Sequence, residues 1–222
     1  MTKAKSQSPD CVPDPQRLAV FKDCLLTYGM DDRNPDSEWP HNVIAKSAVA
    51  LSCGRFELPT KKPNHDHDAA EVALCRRLSG EVESLMKYAG GLGGNFERYQ
   101  AYFCVARRGV GPPPAITREV VRDAFGGTIY PPARIVIEPM TKKTSKWLKW
   151  ATDNASGEDE ILIPHREMIR WFLAQEELRS PSFIYIGFEP LDDKNAGCVF
   201  PRIAAALTRA GSLVGVGGWM VE

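Results

Sequence analysis

The sequence predicts an α+β fold, with a mostly helical N-terminal half and a C-terminal half in which strands alternate with helices as a split βαβ arrangement. Three observations carry this reading. In the first half apolar residues recur at helical spacing, as at Leu18, Phe21, Leu25 and Tyr28 or at Val72, Cys75, Leu78 and Val82. In the second half, β-branched and aromatic runs such as Arg134 to Glu138 and Phe183 to Phe188 are separated by capped helical stretches. The composition, 43% hydrophobic and 25% charged over 222 residues, is that of a globular chain long enough to bury a core.

Taken in order, residues 1–13 are polar and end at Pro13, which predicts a disordered tail. Asp14 and Pro15 give an N-cap and a first-turn proline, and Gly29 stops the helix they open. Met30 to Pro40 is a charged loop, and 43–58 fits a helix or an alternating strand equally well. Lys61-Lys62-Pro63-Asn64 breaks the chain before a helix that His67 or Asp68 caps, with Val72, Cys75, Leu78, Val82, Leu85, Met86 and Ala89 on one face and Gly90-Gly91 after it. The segment 96–108 reads as helix after an Asn95 cap, or as strand over the aromatic stretch Tyr99 to Val105.

Residues 109–116 form a Pro/Gly linker, with Gly109, Gly111 and three consecutive prolines, between a helical-rich region (14–108) and a βαβ-containing region (117–222). Thr117 opens a helix through Phe125, and Arg134 to Glu138 is a strand. A basic-aromatic helix, Ser145 to Thr152, and a loop over Asp153 to Glu160 lead to Ile161-Leu162-Ile163. Pro164 then starts a helix with Met168, Ile169, Phe172 and Leu173 facing inward. Phe183 to Phe188 is the next strand, Pro201 starts a helix over Ile203 to Ala210, and Ser212 to Val221 is the last strand. Strands joined through helices would be parallel.

Lysine plus arginine equals aspartate plus glutamate at 28 each, so attraction of the whole molecule to nucleic acid or an anionic membrane is excluded and any basic surface is local. The six cysteines include no C-x-x-C pair, and several sit in apolar runs, which predicts reduced thiols and no intramolecular disulfide. The N-terminus lacks the apolar core of a secretory signal and no stretch is long and apolar enough to span a membrane, so a cytoplasmic protein without membrane or cofactor is expected.

Two clusters carry chemistry. Lys142, Lys143, Lys146, Trp147, Lys149 and Trp150 fall within nine positions, where lysines can neutralise phosphates and an exposed tryptophan can stack on an unpaired base. The alternative is an amphipathic helix with both tryptophans buried and the lysines solvated. His65-Asp66-His67-Asp68 offers imidazoles and carboxylates to a divalent metal, but a helix starts here, and capping and solvation by Asp66 or Asp68 explain the acids without any metal, so no metal site is expected from this run alone. His41, the His67-Asp68 doublet and Asp123 stand in an order that resembles the metal-dependent phosphohydrolases of the HD superfamily. That resemblance implies a metal held by these four residues and activating a bound water.

A second resemblance lies at the C-terminus. From Phe183 to Trp219, with Asp192-Asp193 in a turn and then Ala-Gly-x-x-Val-Gly-Val-Gly-Gly-Trp, the sequence is similar to the closing βαβ unit of CRISPR-associated RAMP proteins and phage-encoded RRM-like proteins. It implies a ferredoxin-like fold and a glycine-rich loop near RNA. Glycines inside a strand also mark close approach of another backbone. Together these features predict a non-enzymatic protein that binds single-stranded nucleic acid, RNA in a phage or CRISPR-type context. A protein-interaction, inhibitor or structural role is the first alternative, and an HD-like phosphohydrolase the second.

Overall fold

A computed structural model describes residues 12–14, 44–45, 47–59, 67–87, 99–145, 148–149, 152, 159–187 and 199–221. The expected helix after Asp14, the loop Met30 to Pro40 and the Gly90-Gly91 stop lie outside them. The fold is mixed α and β, with strands in two antiparallel sheets. The smaller sheet is a hairpin of β1 (Val49–Ala50) and β2 (Phe56–Glu57), which resolves the ambiguous 43–58 segment. The larger contains β3 (Gln100–Cys104), β4 (Arg134–Pro139), β5 (Leu178–Gly187), β6 (Val199–Thr208) and β7 (Leu213–Val221), in the order β3-β7-β6-β5-β4. Three helices accompany them: α1 (Ala69–Leu85), α2 (Arg118–Ala124) and α3 (Asp159–Ala174).

Every neighbouring pair in the large sheet is antiparallel, so the parallel crossovers expected for a βαβ unit are absent from the described residues. The decisive correction is at β6: the helix expected from Ile203 to Ala210 is a strand. Alternate residues show why. Ile203, Ala205 and Leu207 join one core with Tyr102, Ile135, Ile184, Phe56 and Phe125, while Ala204 and Ala206 join another with Val82, Met86, Phe172 and Phe183. A strand covered on both faces has apolar residues throughout, and its run is indistinguishable by periodicity from a buried helix. Alanine raises helix propensity locally, and packing on two faces overrides it.

The sheet is thus sandwiched. On one face lie the β1–β2 hairpin and α2, with Phe56 and Phe125 stacked at 5.1 Å between ring centroids. On the other lie α1 and α3. Helix α1 presents Cys75, Leu78, Ser79 and Val82, a one-face spacing, and is capped by Asp68, whose carboxylate accepts the Ala70 N–H at 2.9 Å. Helix α2 is capped by Thr117. Helix α3 starts at Asp159 rather than at Pro164, which lies inside it, and Leu173, expected to face inward, is exposed.

The β6–β7 connection is tight. Gly211 has φ +95° and its α-carbon faces Pro112 and Pro113, so the proline run packs on this turn. A side chain at Gly215 would overlap the Ala204 carbonyl, which is the close backbone approach that strand glycines permit. Residues 12–14 run antiparallel to the hairpin: Pro13 bridges Leu51, Asp14 N–H donates to Ala50 O at 2.9 Å, and Ser52 N–H donates to Val12 O at 2.8 Å. Cys53 is disulfide-bonded, which overturns the expectation of six free thiols, whereas Cys75 and Cys104 are free and buried. An apolar context favours burial of a cysteine and does not decide whether it is bonded. Among the described residues no helix is long and apolar enough to cross a membrane.

Candidate nucleic-acid interface

The chain leaves β4 through a turn in which Lys142 N–H donates to Pro139 O at 3.1 Å and Ser145 N–H donates to Lys142 O at 2.9 Å. Lys142 and Lys143 are exposed on this turn. Ser145 is buried and does two things at once: its hydroxyl accepts the Leu148 N–H at 3.1 Å and donates to Glu138 Oε2 at 2.9 Å. It therefore caps the short helix predicted to begin there and ties that helix to β4. Leu148 packs, half-buried, against the core formed by Met140, Met168, Ile169 and Phe172, leaving Lys149 exposed. Lys146, Trp147 and Trp150 lie outside the described residues.

Where this helix passes α3 there is a cleft of about 320 Å³ lined by Thr152, Arg166, Ile169 and Arg170. Arg166 and Arg170 are four residues apart on α3 and so share a face. Thr152 of the short helix and the two arginines of α3 line this cleft, while Lys142, Lys143 and Lys149 lie on the segment that leads to it and are not among its lining residues. Among the described residues no ion pair engages Lys142, Lys143, Lys149 or Arg170. Sequence reasoning missed Arg166 and Arg170. The i, i+4 spacing was available as a signal, but nothing in the chain order places it beside the lysine run.

The HD-like set is arranged differently. His41 lies outside the described residues. His67 is buried, with Nδ1 3.0 Å from the Ala106 carbonyl oxygen, and Asp68 is the α1 cap. Asp123, on α2, pairs with two guanidiniums, Arg55 at 3.0 Å and Arg107 at 3.5 Å, and its backbone carbonyl also accepts from Arg55. Burial disfavours the Arg55 cation, yet the Cys104 sulfur and the Asp123 carboxylate more than offset it and hold the guanidinium above its ordinary range. Capping and ion pairing account for the two carboxylates. Among the described residues no group of three or more His, Cys, Asp or Glu side chains is placed to hold a metal ion.

A second cleft, of about 330 Å³, opens at the start of α1 between Ser52, Cys53, His67, Val72 and Arg76. It carries one exposed cation, Arg76, which donates to Ser52 O at 3.4 Å. No protein-family model matches this chain, and no curated protein matches it in sequence.

Proposed function

We propose that this protein binds single-stranded nucleic acid without catalysis, through Lys142, Lys143 and Lys149 of the turn-helix segment together with Arg166 and Arg170 of the α3 cleft. The observation that carries the reading is the meeting of the basic turn-helix segment with the arginine face of α3. A single-stranded backbone needs cations spaced along a groove, and a chain of zero net charge can supply them only by such local clustering. Lys146, Trp147 and Trp150 extend the same run in sequence, and one tryptophan is assigned the stacking role. RNA is the first ligand to test, because the RNA-binding, phage or CRISPR-type setting implied by the resemblance of the C-terminal glycines belongs to this proposal, although the glycines of the Val-Gly-Val-Gly-Gly run lie in strand β7 and not in a loop after a helix.

The test is a salt titration of binding to random single-stranded RNA, comparing the parent with Lys142→Ala/Lys143→Ala/Lys149→Ala and with Arg170→Ala. Each phosphate that a variant no longer neutralises is expected to lower the slope of log K against log salt by about 0.7. Thermal melting of the same variants is expected to match the parent, since the substituted side chains are exposed. A parent that binds no oligonucleotide at low salt, or variants that bind like the parent, overturns the reading. The exposed Ile163 and Leu173 of α3 then favour the alternative of a protein partner.

A further inference from the structure

Strand β4 ends the sheet, with opposite charges at Arg134 and Glu138 and the β-branched residues Ile135, Val136 and Ile137 between them. We infer that two copies of this chain join β4 to β4 about a two-fold axis through Val136, making one continuous antiparallel sheet. The order β3-β7-β6-β5-β4 leaves the outer side of β4 without a strand among the described residues. Its register on β5 fixes which main-chain groups face outward. Met140 N–H donates to Pro181 O at 2.9 Å, and two, four and six residues before it Glu138, Val136 and Arg134 stand opposite Phe183, Tyr185 and Gly187. Alternate residues of an antiparallel strand bond to one neighbour, so Ile135 and Ile137 turn their N–H and C=O groups away from β5.

This open stretch is bounded at both ends. The Ala133 carbonyl, next in the outward series, already accepts the Arg122 guanidinium at 2.7 Å, and Pro139 has no N–H to donate. Laid antiparallel on its own copy about Val136, the stretch sets Ile135 against Ile137 of the second copy, and each such pair exchanges both of its N–H···O bonds. Arg134 then stands opposite Glu138 of the second copy at a non-hydrogen-bonded position, where α-carbons are about 4.5 Å apart and opposite charges attract. Other registers lose this match. Centring the axis one residue away sets Arg134 or Glu138 against Val136, and centring it two residues away sets like charges against each other.

The opposite edge of the sheet is already occupied. Ala101 N–H of β3 donates to Glu83 Oε1 at 3.0 Å, and Val105 N–H, just past the strand, donates to Cys53 O at 3.0 Å. Edges that repel partners carry a bulge, a central proline or an inward charge, whereas β4 runs on β5 without a register shift and keeps its charges at its ends. Arg134 is exposed, and Val136 and Ile137 are half-buried. With 28 basic and 28 acidic residues, two copies meet without long-range repulsion.

The experiment is sedimentation velocity of the full chain over a concentration series, without nucleic acid, so its outcome is separate from that of the binding test above. The parent is expected to pass from monomer to a species of twice its mass, and a parent that stays monomeric at its highest soluble concentration overturns the inference. Arg134→Glu and Glu138→Arg are each expected to weaken self-association by about tenfold or more, because both symmetry-related contacts become like-charged. Mixed in equal amounts, these two variants are expected to form a heterodimer in which both contacts again join opposite charges. A mixture that associates no better than either variant alone overturns the register. Glu138 also accepts the Ser145 hydroxyl, so Ile137→Pro serves as a variant that leaves that bond in place. It removes an outward N–H that β5 does not use, and is expected to stay monomeric with a far-ultraviolet circular dichroism spectrum like the parent's. A dimer that survives Ile137→Pro overturns the β4 interface.

Discussion

Thr117 shows how much one hydroxyl decides. Its oxygen accepts the Val120 N–H at 3.3 Å and so caps α2, while its O–H is positioned to donate to Glu119, whose carboxyl is held below its ordinary range, foremost by this bond and then by its own backbone N–H. A depressed carboxyl contributes stability that is present above its unfolded pKa and lost as pH falls through the folded value. Thr117→Ala is therefore expected to bring the Glu119 pKa back up in an NMR titration and to flatten that acid limb. Losing the cap is expected to cost about 1 kcal/mol by denaturant unfolding. Asp123→Ala tests a second residue. It leaves the buried Arg55 without its carboxylate, and because Asp123 is 60% exposed the expected loss is about 1 to 2 kcal/mol, below that of a fully buried pair. A variant as stable as the parent would mean that the Asp123 carbonyl and Cys104 suffice.

Among the elements, those that announce themselves carry a cap or a breaker. Asp68, Thr117 and Ser145 each stand at a helix start that the sequence predicts, and each makes the capping bond. β6 is illegible for a physical reason: Ile203 to Leu207 is apolar at every position because both faces of the strand are covered, and alanines leave no alternation to read. α3 is legible in kind but displaced, since Pro164 marks a first turn by habit and here lies inside the helix. The lysines were legible as a cluster, whereas Arg166 and Arg170 join them only through the packing of Leu148 against Ile169 and its neighbours. Two substitutions probe this scale. Ser145→Ala is expected to destabilise by about 1 to 2 kcal/mol, since it removes the cap and the bond to Glu138 together, and to weaken oligonucleotide binding without removing a charge. Gly215→Ala forces β7 off the Ala204 carbonyl, and a melting temperature equal to the parent's would contradict the close pairing of β6 and β7.

For the whole molecule, the sheet spans the Gly109 to Pro114 run: β3 precedes it, β7 ends the chain's last hairpin, and the two are hydrogen-bonded from Gln100/Gly217 to Cys104/Leu213. Trypsin at the exposed Arg107 or Arg108 is accordingly expected to nick the chain without separating it, the two fragments co-eluting in gel filtration and parting only in denaturant. Fragments that elute apart under native conditions would mean two independent domains.

The pairing of β3 with β7 also sets a timetable. The strand order leaves β3 at the sheet edge, with β7 as its neighbour, and the bond from Ala106 N–H to Ser212 Oγ spans 106 positions. During synthesis, the nascent chain exposes Tyr102, Phe103 and Cys104 long before the strand that covers their backbone has been translated. Until then β3 is an open template with an aromatic flank, the kind of segment that recruits a holdase or a second nascent chain. A ribosome stalled before β7 is thus expected to display a chain whose sheet cannot close, whereas emergence of β7 lets β3 join the sheet in a long-range step whose rate is set by loop closure rather than by local propensity.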